Sequence, residues 1–148
     1  MPRINLVIVR KDHAPALAIG ERLPAVRLVA QVSLATSAGW TDHDPAVIDT
    51  EAPISLFPRA IWRHADFRAI GRVRVGGISQ RRGCQIPAIL AEVRCTLSDG
   101  AALIGPLVLH AYLAEADDAP ALIGMLGFIE RGVLHVQLSR RRAILRLP

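Results

Sequence analysis

Apolar positions along this chain fall into short runs broken by turn-forming residues, the pattern of β-strands rather than of amphipathic helices. Ile4 to Val9 reads as a first strand and Ala25 to Leu34 as a second. Small and polar residues from Ala35 to Pro45 predict a loop, after which Ala46-Val47-Ile48 forms a brief apolar strand ending at Asp49-Thr50. Pro53 and Pro58 forbid a long helix next, but Arg59 to Asp66 suits a short one. The alternation Arg72-Val73-Arg74-Val75 runs into a Gly76-Gly77 turn. Cys84 to Leu97 is strand-like, and Pro87 within it predicts a sheet edge or a bulge, because proline gives no N–H to a ladder.

Ser98-Asp99-Gly100 is a turn, Leu107 to Leu113 a strand, and Ala114 to Pro120 an acidic loop. Ala121-Leu122-Ile123 leads into Gly124 and a short helix over Met125 to Glu130. Leu134 to Leu138, the turn Ser139-Arg140-Arg141 and Arg142 to Leu147 read as a terminal hairpin. Many short strands with two short helices predict a barrel or a sandwich. At 148 residues, residues 1–148 suit a single domain with a core of useful size.

Composition narrows the field. Apolar residues make up 51% and charged residues 21%, which excludes disorder as the main state. The formal charge is +5, and every basic residue except Lys11 is Arg. The arginines are dispersed, apart from Arg81-Arg82 and Arg140-Arg141-Arg142, and aromatics that would stack on bases are 4%. A solvated basic surface follows, with no nucleic acid expected. Cys84 and Cys95 make no disulfide framework and, with opposite parity in one run, face opposite sides of a strand; the expectation is two reduced thiols. No stretch approaches the ~20 apolar residues that span a bilayer. The apolar run at residues 4–9 is too short for a secretory signal core, so a cytoplasmic protein with no membrane partner is expected.

Candidate chemistry centres on residues 46–62, Ala-Val-Ile-Asp-Thr-Glu-Ala-Pro-Ile-Ser-Leu-Phe-Pro-Arg-Ala-Ile-Trp, and on Ala121-Leu122-Ile123-Gly124 with the segment after it. An apolar strand running into Asp-Thr, a Gly-rich hairpin at Gly71 to Gly83, and an apolar-apolar-Gly element occur in that order. Together they resemble the retropepsin-like aspartic proteases over roughly residues 24–147. That resemblance implies an all-β fold, a closed acid-protease-like barrel with one or two short helices. It implies Asp49 and Thr50 as catalytic residues, and Glu51, Ala52, Gly76, Gly77 and Ile78 as substrate-binding residues, the glycines on a flap hairpin. No second Asp-Thr/Ser-Gly occurs. The resemblance therefore implies a homodimer in which two Asp49 carboxylates meet on the two-fold axis, share one proton and activate water against a peptide or protein substrate. No cofactor and no metal are expected.

The chain departs from the motif at Glu51, where the family has Gly. A Glu brings two more carboxylates near the axis by symmetry; at ~5 Å and an effective dielectric of ~20, each repels the pair by about 3 kcal/mol. Such a field retunes the dyad, whereas a side chain filling the water or substrate position abolishes catalysis. Two functions stay open on this ground: an active aspartic endopeptidase, and a pseudoprotease that binds peptides or dimerises without chemistry. Asp49-Thr50 also suits an ordinary strand-end turn, and Gly124 a simple turn glycine. Asp42-His43-Asp44 and His64-Ala65-Asp66 lack the spacing of a zinc motif, and His110 and His135 sit in strands as packed or surface residues. A Ser-His-Asp hydrolase is disfavoured, since no Gly-x-Ser-x-Gly occurs.

Overall fold

The structure, a computed structural model, describes residues 2–76 and 85–148. In chain order the elements are β1 (Arg3–Asn5), β2 (Val7–Asp12), α1 (Ala14–Leu17), β3 (Pro24–Thr36), β4 (Gly39–Trp40) and β5 (Asp44–Ile48). There follow β6 (Ser55–Phe57), α2 (Arg59–Trp62), β7 (Phe67–Val75), β8 (Ile86–Ser98), β9 (Leu103–Ala114) and β10 (Leu122–Ile123). The last two strands are β11 (Val133–Gln137) and β12 (Arg142–Arg146), with 3₁₀ turns at Ile129–Arg131 and Leu138–Arg140.

Strands β3, β5, β10, β6, β9 and β8 pair in that order, and β8 pairs back onto β3, which closes a six-strand barrel. The fold is all-β, with two short helices. Closure is possible because β3 is 13 residues long and serves four partners in succession: β2 along Pro24 to Val29, β5 along Val29 to Val32, β8 along Gln31 to Leu34, and β4 along Ala35 to Thr36. Side chains alternate across each strand, so Ala30, Val32 and Leu34 of β3 point inward with Ala91, Val93, Cys95 and Leu97 of β8 and Leu109, Ala111 and Leu113 of β9. Phe57 and Phe128, both fully buried, fill the same core. A smaller cluster of Leu56, Ala114 and Ala119 lies apart from it. The three-stranded sheet β1-β12-β11 stands outside the closed ring.

Several elements differ from the sequence reading. The expected first strand, Ile4 to Val9, is two strands in two sheets: Ile4 pairs with Leu145, whereas Ile8 pairs with Leu28. Leu6 marks the crossing and gives its N–H to Ala143 O at 2.9 Å, so the break leaves no gap in the apolar alternation. The loop expected over Ala35 to Pro45 contains the short β3–β4 hairpin and the start of β5. Pro87 lies on an interior strand, between β7 and β9, and not at an edge or bulge. It is tolerated because the β8–β9 ladder ends at Ala88, and its carbonyl still takes the Glu115 N–H at 3.0 Å. The bulge is on β7, between Ala69 and Gly71.

Of the two expected helices, the one over Arg59 to Asp66 is present only in its first half, as α2 over Arg59–Trp62. Met125 to Glu130 is a turn followed by 3₁₀ structure, because Gly127 has φ +96° and stops any α-helix. The second helix is instead α1, where Pro15 suits the first turn. The terminal hairpin is present as β11 and β12, paired from Val133↔Arg146 to Gln137↔Arg142.

Asp99 ties the β8–β9 turn to the N-terminal strand. Its Oδ1 accepts the N–H groups of Ala101 (2.9 Å) and Ala102 (2.7 Å), and its Oδ2 accepts that of Asn5 (2.8 Å). These backbone donors hold the carboxyl below its ordinary value of 3.8. A depressed folded-state value means stabilisation that is complete above pH 3.8 and disappears as pH falls through the folded value. Asp99→Asn is therefore expected to lower the melting temperature at neutral pH and to converge with the parent protein in strong acid; an equal deficit at both pH values would refute this. In the core, Ile123→Ala should lower the unfolding free energy by about 2–5 kcal/mol in denaturant titrations.

Candidate functional site

Asp49 follows directly on β5, a strand held from both sides. β3 pairs antiparallel with it, Val29↔Val47 and Ala30↔Ala46, and β10 pairs parallel, Leu122↔Val47 and Ile123↔Ile48. The hydrogen bonds Val47 N–H to Ala121 O and Asp49 N–H to Ile123 O, each 2.9 Å, carry that parallel pairing through to the aspartate itself. Val47-Ile48 thus lies beside Leu122-Ile123, with Ile48 and Ile123 buried and Val47 and Leu122 half-buried.

Beyond Asp49 the chain turns tightly. Glu51 N–H donates to Asp49 Oδ1 at 3.0 Å and Ala52 N–H to Asp49 O at 3.3 Å, the side-chain-to-backbone turn that aspartate favours. Ala52 O and Pro53 O then accept the N–H groups of Met125 (2.8 Å) and Leu126 (3.0 Å), and Gly124 N–H donates to the buried Ser55 Oγ at 3.0 Å. Gly124 is what permits this clamp: a Cβ there would lie 2.7 Å from Ala52 O and 2.7 Å from the Ile54 carbonyl carbon. Its role is close approach, since it is absent from the positive-φ glycines.

Asp49, Thr50 and Glu51 line one open cleft of about 500 Å³. Its walls come from Val26, Arg27 and Leu28 on β3 and from Leu134, Val136 and Leu138 at β11, with Val47 and Ile48 between. Asp49 is half-buried; Thr50 and Glu51 are exposed. Glu51 is not in the left-handed region, which among described non-glycine residues is reached by Arg141 alone. The backbone at position 51 therefore accepts a side chain without strain, and what the Glu changes is the content of the cleft.

The remaining candidates are placed elsewhere. Ala52 is half-buried in the clamp, and neither it nor Gly76 is among the residues lining the cleft. Gly76 is exposed at the end of the β7 strand, which pairs antiparallel with β8 from Phe67↔Val93 to Val75↔Ile86. Gly77, Ile78, Arg81, Arg82 and Cys84 lie outside the described residues. Cys95 is buried, and desolvation pushes its thiol far up from the ordinary value, so it is no thiolate nucleophile. His64 and His135 are exposed; His110 sits 3.6 Å from Glu92, which is itself bound by Arg68 at 2.7 Å. Among the described residues no three His, Cys, Asp or Glu side chains gather as metal ligands. No helix among them is long and apolar enough to cross a membrane.

Sequence reasoning missed Val26, Arg27, Leu28 and the β11 wall. Those segments carry no motif and meet Asp49 only through the barrel and its flanking sheet. Compared with known proteins, the chain matches no family model and no curated sequence.

The Gly124 clamp has a direct test. Gly124→Ala is expected to lower the melting temperature and to shift the amide resonances of residues 49–52, whereas Gly76→Ala, with nothing nearer its Cβ than Gln85 Cγ at 3.9 Å, should do neither. Equal behaviour of the two variants would remove the clamp as the element that positions Asp49.

Proposed function

We propose that this chain is one subunit of a retropepsin-like aspartic endopeptidase, acting as a homodimer with one Asp49 from each protomer. One observation carries the reading: a carboxylate stands at the end of a strand paired on both sides and lines an open cleft of about 500 Å³ whose walls include Val26, Leu28, Leu134, Val136 and Leu138. Rigid support of this kind is what a catalytic group requires, and an ordinary strand-end turn has no need of it.

In the proposed dimer the two Asp49 carboxylates hold one proton between them. The ionised member takes a proton from a water molecule as the water oxygen attacks the scissile carbonyl carbon. The protonated member gives its proton to the carbonyl oxygen. As the tetrahedral adduct collapses, the member that took the water proton gives it to the amide nitrogen, the C–N bond breaks, and an adduct hydroxyl returns its proton to the other carboxylate, which restores the shared-proton state. The Thr50 hydroxyl, exposed beside Asp49, is available to tie the two turns together.

A second reading has its own support. Glu51 lines the cleft with Asp49, so a peptide-binding module without hydrolysis fits the same surface. The two are separated by incubating the protein with a diverse peptide library across acid to neutral pH, alongside Asp49→Asn and Glu51→Gly. The peptidase reading expects cleavage by the parent chain, none by Asp49→Asn, and a dimer in sedimentation at micromolar concentration. Cleavage that survives Asp49→Asn, or a strictly monomeric chain, would end it. Cleavage seen in Glu51→Gly alone assigns the chain to the second reading.

A further inference from the structure

We propose that the cleft selects its peptide by charge, Glu51 receiving a basic side chain and Arg27 an acidic one on the same extended ligand. The inference rests on reading the cleft as a peptide groove, and holds whether or not the bound peptide is cut.

Arg27 and Glu51 are both exposed, and both line the cleft that contains Asp49. The ion pairs of the described residues join Arg22 to Asp12, and Arg68 and His110 to Glu92. Arg27 and Glu51 have no such partner among them, although they share one cleft. Each is fixed to a different part of the frame. Arg27 is set in the β2–β3 ladder opposite Val9, whereas Glu51 is held by its N–H bond to Asp49 Oδ1 in the turn beyond β5. The wall contributed by Leu134 and Val136 is aliphatic and offers neither charge a partner.

Opposite charges on one groove that make no ion pair with each other define a complementary ligand. An extended segment with an apolar middle and a basic and an acidic residue at separate positions satisfies both. A uniformly acidic segment meets Asp49 and Glu51, and a uniformly basic one meets Arg27, with repulsion in either case. Each partly exposed pair is expected to contribute up to about five-fold in affinity, and salt should screen the effect.

The test uses the full chain carrying Asp49→Asn, so that binding is measured without turnover, and fluorescein-labelled octapeptides of Val, Leu and Ala. One set carries a Lys and a Glu separated by apolar residues, in either order; others carry two Lys, two Glu, or Gln in place of both. The mixed-charge peptides should bind tightest in fluorescence anisotropy, and the advantage should shrink at high salt. Adding Arg27→Glu should redirect preference to the two-Lys peptide, and adding Glu51→Arg should redirect it to the two-Glu peptide. Misfolding cannot produce such opposite gains. Charge-selective binding without any cleavage by the parent chain overturns the peptidase reading and leaves this inference standing. Cleavage and binding that are indifferent to charge overturn this inference and leave the peptidase. Binding of none of the peptides, or variants that dissociate a dimer without redirecting preference, also overturns it.

Discussion

The space between the turn after Asp49 and the end of β10 admits a hydrogen atom and nothing larger, and the arrangement of the barrel mouth depends on that tolerance. At Gly124 a methyl group would press on the backbone of both Ala52 and Ile54. Because it is absent, β10 can lie between β5 and β6 with only two residues, parallel to one and antiparallel to the other. This short strand joins the β3–β5 side of the ring to the β6–β9 side. The same approach draws the carbonyls of Ala52 and Pro53 onto the N–H groups of Met125 and Leu126. The joining of the two sides of the ring and the holding of the aspartate turn thus share one set of contacts, backbone hydrogen bonds supported by the Ser55 hydroxyl and the Asp49 carboxylate.

That coupling bears on the chemistry the cleft can support. A carboxylate at the end of an exposed loop samples many positions, whereas Asp49 has its N–H, its carbonyl and one carboxylate oxygen all engaged locally. Other potential nucleophiles or bases among the described residues are less well placed. Cys95 is sealed in the barrel and held as the neutral thiol, and Glu92 is committed to Arg68 on the outer face. Under the proposed function, reactivity would rest on Asp49, with Thr50 and Glu51 beside it in the cleft.

Glu51 adds a charge to the cleft without demanding a special backbone conformation. Its backbone needs no left-handed conformation, so the turn that a glycine would make is made here by a glutamate without strain. The cost or benefit falls entirely on the groove. A charged residue lines the cleft where the motif that the sequence resembles has glycine, and in the proposed dimer it is present twice.

The strand pattern and the placement of Asp49 at a strand end were legible in the sequence, because burial imposes a period-two alternation and tight turns demand particular residues. Pro and Gly positions likewise excluded long helices. Other features left no local mark. The break at Leu6 preserves alternation on both sides, so nothing in residues 4–9 reveals that one half pairs with β12 and the other with β3. The turn at Gly127 resembles a helix in composition, and is set by the approach of Leu109, whose Cβ would stand 2.7 Å from any side chain there. Arg27 and the β11 wall reach the cleft by way of pairings between segments distant along the chain. Local composition determined which segments are strands and which residue types could do chemistry; only the tertiary structure decided which of them share a cleft, because hydrogen-bond ladders join strands irrespective of their side chains and register is settled by the packing of the whole core.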